Sequence, residues 1–240
     1  MIIMEEPAYR PLQKMFMEVP TRYDRMNRLL TWRMDERWRK KAARECVSGN
    51  PVKVLDLCTG TGDMAVHLAG LLNGSAEIFG LDYSDPMLDI ARQKAARKNI
   101  SSIQFIPGDV ADLPFDDDTV DTIGIAFAFR NLTFRNRDRD IFLAEIYRIL
   151  KTGGKFIIVE SSQPSSSCIR FLFHLYMRIF VSGLGSLISR NKGAYKYLAF
   201  SAIHYYQPDE LKKLMEEAGF KFVSHRPLFL GIAGITVVAK

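Results

Sequence analysis

A strand, a glycine-rich turn and the start of a helix follow one another at residues 52–72, and this arrangement limits the possible folds most. The apolar run 52–57 contains Asp56, and apolar residues at helical spacing follow the turn. Its residues 58–62, Cys-Thr-Gly-Thr-Gly, are called the glycine loop below. Glycines allow a sharp turn and a close approach of a ligand, and the first N–H groups of a helix have no partner within it. The pattern is typical of the first β-α unit of a nucleotide-binding α/β fold.

The charges that flank the glycine loop narrow the choice of ligand. A Walker loop would place Lys and Ser or Thr after the last glycine, where this chain has Asp63 and Met64, and the third glycine of the dinucleotide fingerprint is missing. Asp56 and Asp63 would repel a pyrophosphate and attract a cation. We therefore expect S-adenosylmethionine, which carries a sulfonium and an ammonium group. A tight turn without a ligand is the alternative.

The composition is that of a globular protein and gives no sign of a metal site or a signal peptide. The 240 residues are 48% hydrophobic and 25% charged, as in a globular protein of one ordinary to large domain. The three cysteines form no Cys-x-x-Cys pair and the four histidines are scattered, so we expect a reducing compartment and no metal site. The first ten residues lack the apolar stretch of a signal peptide. A cytoplasmic location, with possible peripheral contact to a membrane, is expected.

The net charge of +6 is concentrated near the N-terminus. Nine basic and three acidic residues lie between Arg22 and Arg44, and the rest of the chain contains 24 of each sign. Nine minus three therefore accounts for the whole excess. Such a segment can bind anionic lipid or nucleic acid, or it can be the solvated face of a helix. Nucleic acid is not expected, because no aromatic-interleaved basic groove or known binding motif accompanies the charge.

Alternating strand and helix patterns predict a mostly parallel sheet with helices on both faces. Strands are expected at 52–57, 76–82, 103–107, 120–127 and 155–160, and helices at 86–98 and 139–150. The helix 139–150 is expected to end at Gly153-Gly154. A last helix, 208–219, precedes the strands 220–227 and 232–239, whose short connection predicts an antiparallel hairpin.

Four parts of a single domain are predicted along the chain. They are a helical cap (1–50, divided by Pro20), a cofactor-binding core (51–160), a helical insertion (161–207) and a closing helix with two strands (208–240). The insertion contains a long apolar stretch, 168–188, in which Arg170, His174 and Arg178 exclude a membrane-spanning helix. At 100° per residue these three fall within an arc of about 80°. Core packing explains the pattern, and so does a lid over an apolar substrate that also touches a membrane surface.

Polar residues at the ends of the predicted strands extend the candidate site. Asp82 lies 20 residues after Gly62, where nucleotide folds bind ribose hydroxyls; a helix-capping role is the alternative. Asp109 could accept a hydrogen bond from an adenine amino group. The expected cofactor-binding set is Asp56, Thr59, Gly60, Thr61, Gly62, Asp82, Tyr83, Met87, Gly108, Asp109 and Val110.

Arg130 and Asn131 follow the fourth strand on the expected ligand side of the sheet. A buried Arg is rare without a partner, so this pair is a candidate for chemistry. An Arg that bridges loop carboxylates is the alternative.

The motifs resemble the class I S-adenosylmethionine methyltransferases, and more specifically the ubiquinone/menaquinone biosynthesis C-methyltransferases. The specific elements occur in order along nearly the whole chain. They are 23–27, Trp38, Phe129-Arg130-Asn131, 160–164 and 194–198. The Phe-x-x-Arg-Asn element that ends at Asn131 is the most specific and the glycine loop the least. Ala128, Cys58 and the sequence 204–206 depart from the usual pattern.

The resemblance implies a Rossmann-like, seven-stranded, mostly parallel sheet with an antiparallel last strand. It also implies methyl transfer to a ring carbon of a polyprenylated quinol, a lipophilic acceptor, at a membrane surface. Arg130, Asn131 and Tyr23 are then the candidate catalytic residues. Because Arg stays charged, Arg130 is better suited to stabilise a phenolate than to take its proton. A methyltransferase for another small apolar acceptor, such as a phenol or a lipid, and a cofactor-binding protein without catalysis remain alternatives.

Overall fold

The computed structural model describes residue 28 and residues 31–184 and 192–240. Its first described helix, α1 (Met34–Cys46), buries Trp38, Ala42, Ala43 and Cys46 on one face. Tyr23 and the proposed division of the cap at Pro20 lie outside the described residues. The four-part division of the chain stays a prediction.

Strands and helices alternate from residue 53 to residue 161. The elements are β1 (Lys53–Leu57), α2 (Asp63–Leu72), β2 (Glu77–Asp82), α3 (Asp85–Arg97), β3 (Ile103–Pro107), β4 (Val120–Ala126), α4 (Phe129–Thr133), α5 (Arg139–Ile149) and β5 (Leu150–Ser161). The second half contains α6 (Ser167–Tyr176), a π-helix (Met177–Leu184), α7 (Lys192–Ile203), α8 (Pro208–Glu217), β6 (Lys221–Leu228), a 3₁₀ turn (Phe229–Gly231) and β7 (Ala233–Ala239).

The seven strands form one sheet in the order β3-β2-β1-β4-β5-β7-β6. Strands β1 to β5 pair in parallel, and β7 pairs antiparallel with both β5 and β6. This confirms the predicted fold class and the antiparallel hairpin. The strand order reverses between β1 and β4, and open α/β sheets bind ligands beyond the carboxyl ends of the strands at such a point. The glycine loop after β1 and Arg130 after β4 both lie there.

The central strands are buried because helices or loops cover both faces of the sheet. In β5, residues 156–159 are all apolar and at most 1% exposed. One apolar cluster packs α5 and α8 on one face, and a second packs α1 and α2 on the other. The predicted helix 139–150 is nearly right, but the prediction that Gly153-Gly154 ends it is wrong. Leu150 already pairs with Val120, so the glycines lie within β5, where a register shift accommodates them.

The insertion differs from the single long helix that its apolar pattern suggests. The α-helix α6 ends at Tyr176, and a π-helix continues to Leu184. Met177 and Val181 of the π-helix pack against Ala199 and Ala202 of α7 in a separate apolar cluster. Within the described residues, no helix has the length and hydropathy needed to cross a membrane.

Candidate active site

The glycine loop turns through left-handed backbone at Cys58, Gly60 and Gly62, with φ of 53°, 55° and 79°. A Cβ atom added at Gly62 would lie 2.9 Å from the Cβ of Ala91, so this glycine permits α2 to begin against α3. A Cβ at Gly60 would meet no atom within 4 Å. Gly60 therefore borders open space, and its backbone is accessible to a ligand. Cys58 adopts an unfavourable conformation for a residue with a side chain, which is a form of strain found at functional sites.

Asp56 is buried beneath this loop. Its Oδ2 accepts hydrogen bonds from Thr59 Oγ1 at 2.5 Å and from the N–H of Ala65 at 2.9 Å. Burial raises the pKa of Asp56 to about 7, although these two hydrogen bonds oppose the shift. The carboxylate thus holds the loop and the start of α2. Its Oδ1 has no hydrogen-bond partner among the described residues, and Asp56 lines the cleft above the loop.

Asp82 connects the glycine loop to the turn after β2. Its Oδ2 accepts a hydrogen bond from the N–H of Gly60 at 2.8 Å, and its Oδ1 accepts one from the N–H of Ser84 at 2.9 Å. Burial raises the pKa of Asp82, and the backbone hydrogen bonds oppose the shift. Ser84 occupies the N-cap of α3, but its side chain makes no capping hydrogen bond.

The space above the glycine loop, called here the donor cleft, brings together most of the predicted cofactor-binding residues. Among them are Asp56, Thr59, Gly60, Thr61, Asp82, Tyr83, Met87, Gly108 and Val110. Gly62 acts in packing instead. Asp109 is not among the lining residues: its Oδ1 accepts a hydrogen bond from the N–H of Ala111 at 3.0 Å, within its own turn.

Basic residues surround Asp63 at the first turn of α2. Lys94 Nζ lies 2.5 Å from Asp63 Oδ1 and donates to Thr61 Oγ1 at 2.9 Å, while Arg28 lies 3.4 Å from Asp63. Burial alone would raise the pKa of Asp63, but Lys94 and the arginines lower it on balance. The loop threonine and this carboxylate are therefore fixed from the side of α3.

Arg130 is buried in the wall of a second cavity. Its Nη1 donates to Glu160 Oε1 at 2.8 Å and to Ser161 Oγ at 2.6 Å, and its backbone N–H donates to Glu160 Oε2 at 3.1 Å. Arg130 and Glu160 are 3% and 2% exposed. The alternative interpretation, in which Arg130 pairs with carboxylates of loops, is thus partly right. Arg130 does pair with a carboxylate, but that carboxylate belongs to β5 rather than to a loop. Arg130 Nε is buried without a hydrogen-bond partner in the described part of the chain.

Asn131 lines the donor cleft rather than the cavity that Arg130 lines. Its Oδ1 lies 3.5 Å from the hydroxyl of Tyr197, and its backbone carbonyl accepts a hydrogen bond from Asn136 Nδ2 at 3.0 Å. The two consecutive residues of the predicted catalytic pair therefore line different cavities.

The second cavity, called here the apolar cavity, has a volume of about 700 Å³. Its walls are mainly apolar side chains from α1, the insertion and the 3₁₀ turn, among them Trp38, Phe173, Met177 and Leu230. Arg39 and Phe127 line both this cavity and the donor cleft. Neither residue is among the predicted site residues. Phe127 opens the Phe-x-x-Arg-Asn element, which is a signal for its role, whereas Arg39 is only one of the basic residues of the cap.

The model of the ubiE/COQ5 methyltransferase family matches residues 4–240. The chain belongs to this family. A demethylmenaquinone methyltransferase from Deinococcus radiodurans is 39% identical over 229 residues, which are 95% of this chain and 92% of the relative. A ubiquinone/menaquinone biosynthesis C-methyltransferase, UbiE, from Geotalea daltonii is 37% identical over 227 residues, 93% and 94% of the two chains.

Solved structures confirm the fold. A SAM-dependent methyltransferase from Aquifex aeolicus superposes with a TM-score of 0.55 at 17% identity, covering 78% of this chain and 81% of that one. Membership of the ubiE/COQ5 methyltransferase family confirms the prediction of an S-adenosylmethionine-dependent methyltransferase.

Proposed function

We propose that this enzyme transfers the methyl group of S-adenosylmethionine to a ring carbon of a demethylated, polyprenylated quinol of the demethylmenaquinol type. The observation that carries the proposal is the apolar cavity, whose wall contains the ion-paired Arg130 and which meets the donor cleft at Arg39 and Phe127. A ring with a prenyl chain needs such an apolar enclosure with few polar groups. The names of the relatives, demethylmenaquinone methyltransferase and ubiquinone/menaquinone biosynthesis C-methyltransferase, support the choice of acceptor.

The residues of the donor cleft fit S-adenosylmethionine, which supplies a methyl group on a sulfonium when bound. Asp82 accepts two backbone hydrogen bonds, one on each oxygen, and each oxygen has lone pairs left for ribose hydroxyls. Gly60 leaves open space beside the loop. Tyr83 and Met87 would border the base, together with Gly108 and Val110. A hydrogen bond from an adenine amino group to Asp109 stays a prediction.

Arg130 suits the acceptor side of the reaction. A quinol ring carbon becomes nucleophilic when the adjacent phenol loses its proton, because the charge of the phenolate spreads onto that carbon. Arg130 faces the apolar cavity, and its fixed charge would stabilise the phenolate in surroundings of low dielectric constant. Asn131 would orient groups on the donor side. Tyr23 stays a candidate from the sequence.

The mouth of the apolar cavity suggests how a long prenyl tail reaches it. Trp32, Leu172 and Leu230 line the cavity and are also 79%, 57% and 66% exposed. Phe171 and Phe180 extend this exposed apolar surface along the insertion. Large exposed apolar patches mark protein or membrane contacts. We propose that the mouth rests on a membrane surface and that the tail enters from the lipid; the cytoplasmic location stays a prediction.

Transfer of a labelled methyl group tests the acceptor class. The protein is incubated with S-adenosylmethionine labelled in its methyl group and with demethylated quinols, simple phenols and lipids in parallel. We expect label in the ring carbon of the quinol and none in the other acceptors. Transfer to phenols or lipids alone would support a different acceptor. Donor binding without transfer to any acceptor would contradict the proposal.

A further inference from the structure

The charges of the donor cleft leave one end of the methyl donor unexplained. Asp56, Asp63 and Asp82 line the cleft and suit the sulfonium, the ammonium and the ribose hydroxyls of S-adenosylmethionine. Its amino acid end also carries a carboxylate, which these three acids repel. Of the described residues that line the cleft, Arg39 has the only cationic side chain.

Arg39 is held in place on α1. Its Nη1 donates to Asp35 Oδ2 at 2.5 Å, and the other oxygen of Asp35 accepts a hydrogen bond from Thr31 Oγ1 at 2.6 Å. The side chains of Arg39 and Asp35 are 14% and 5% exposed. The guanidinium carbon also lies 4.9 Å from the centre of the Phe127 ring. Such a fixed guanidinium loses little conformational freedom when it binds an anion.

Most of the donors of Arg39 are available to a ligand. A guanidinium has five N–H donors, and within the described residues the only side-chain hydrogen bond of Arg39 is the one to Asp35. Its charge acts on the loop carboxylates. Burial acts to raise the pKa of both Asp56 and Asp63. Arg39 opposes this effect at both residues, because its positive charge favours the ionised carboxylate. Arg39 lines the donor cleft together with Gly60 and Thr61 of the glycine loop, so an anion bound in the cleft could reach its guanidinium.

We propose that Arg39 binds the carboxylate of the methyl donor and selects donors that carry this group, with Asp35 as its positioning residue. The inference rests on the proposed function only in placing the methyl donor in the cleft. It concerns donor binding, so it can be tested without any acceptor.

The test compares S-adenosylmethionine with decarboxylated S-adenosylmethionine, which keeps the sulfonium and the ammonium. Calorimetric titration measures the affinity of each for the wild-type protein and for Arg39→Gln. Hydrogen bonds between charged groups predict that the wild type binds the decarboxylated compound on the order of 10- to 100-fold more weakly. Arg39→Gln should bind both compounds about equally. A variant that still discriminates as the wild type does, or a wild type that does not discriminate, would overturn the proposal.

Further variants separate recognition from folding. Arg39→Gln leaves Asp35 buried without its cation, so Asp35→Asn/Arg39→Gln is tested beside it and should show the same loss of discrimination. Asp35→Asn alone should reduce the affinity for S-adenosylmethionine and leave that for the decarboxylated compound unchanged. Arg37→Gln, on the exposed face of the same helix, should behave as the wild type. Folded Arg39 variants that lose equal affinity for both compounds would show a structural role and contradict the proposal. If the wild type binds neither compound, the donor site of the proposed function is wrong as well.

Discussion

Arg130 and Glu160 form a buried ion pair, so removing either charge leaves the other unpaired in a site of low dielectric constant. Breaking such a pair costs about 3–5 kcal/mol. Loss of activity in a single variant therefore cannot separate catalysis from folding. Arg130→Gln should lower both activity and the free energy of unfolding, and Glu160→Gln should do the same.

The double variant Arg130→Gln/Glu160→Gln separates the two effects. It replaces the charges by a neutral pair that can still form hydrogen bonds, so most of the lost stability should return. The turnover rate should stay at least about 100-fold below that of the wild type, because no charge remains to stabilise a phenolate. Urea unfolding and donor titration check the fold and the donor site. Recovery of turnover together with stability would mean that Arg130 only supports the structure.

The raised pKa of Asp56 predicts that its contribution to the stability of the protein falls as the pH rises. Its pKa in the folded protein is about 7, above the ordinary value of 3.8, so between these values the native state holds a proton that the unfolded chain has released. The contribution of Asp56 to stability is therefore largest near pH 4, falls as the pH rises to about 7, and is constant above that. The fall is on the order of 4 kcal/mol.

The variant Asp56→Asn stays neutral, so its stability should lack this fall. Urea unfolding at several pH values between 4 and 8 measures the difference between the wild type and the variant. We expect the wild type to lose stability relative to the variant across this range. Parallel curves would show that Asp56 ionises normally in the folded protein.

At the scale of the element, α6 turns polar side chains toward the protein and leaves apolar side chains exposed. Its half-buried polar side chains face the protein: His174 Nε2 lies 2.9 Å from Gln163 Oε1, and Arg170 donates to the carbonyl of Ser165 at 3.3 Å. Phe171, Leu172 and Leu175 are exposed. The sequence places Arg170 and His174 on one face, but it does not reveal that this face meets the end of β5. Gln163, the partner of His174, also donates a hydrogen bond to the carbonyl of Ala202 in α7. These two residues are far apart in the sequence, so residue spacing does not predict their contact.

This surface predicts binding to lipid. Phe171→Ser/Phe180→Ser should reduce binding to vesicles about 10-fold or more, since each ring contributes roughly 1.5–3 kcal/mol when fully buried. Sedimentation with vesicles containing anionic lipid measures the effect. Val223→Ser, an exposed apolar position on β6, is the matched control and should bind as the wild type does. Equal loss in both variants, or none in either, would contradict a membrane contact at the cavity mouth.

The exposed basic residues of α1 bear on the same contact. Arg37, Lys40, Lys41 and Arg44 are exposed and make no ion pair within the described residues, so they agree with the solvated helix face considered from the sequence. They are also available to anionic headgroups, which add about 1 kcal/mol per basic residue near a membrane. Binding to anionic vesicles should therefore weaken with salt, whereas the part due to Phe171 and Phe180 should not.

At the scale of the molecule, the sequence predicts the sheet and the donor side well. Periodicity and glycine positions are local signals, and they locate the glycine loop, Asp82 and the antiparallel hairpin. The acceptor side depends on contacts between distant segments. Arg130 meets Glu160 across 30 residues, and Arg39 reaches the cleft from a helix before the sheet begins. Residue spacing cannot show which face of α1 turns toward β4, so Arg39 counted only as one of many basic residues.

Phe127 lies where the donor side and the acceptor side of the molecule meet. It has a left-handed backbone with φ of 60°, its N–H donates to the carbonyl of Val159 at 2.9 Å, and its ring lies between the donor cleft and the apolar cavity. Methyl transfer requires the two reacting atoms to be held about 3–3.5 Å apart. A ring fixed at the junction limits how far either reactant can move.

Phe127→Ala should therefore lower kcat more than it changes binding. We expect a loss of at least about 10-fold in kcat, because a looser junction reduces the population of aligned reactants. Donor affinity should change by only a few fold, since the carboxylates and Arg39 remain. Phe222→Ala, a half-buried aromatic position on β6 remote from both cavities, controls for general loss of packing. If Phe127→Ala instead abolishes donor binding at full stability, the ring belongs to the donor site; if kcat is unchanged, the junction does not align the reactants.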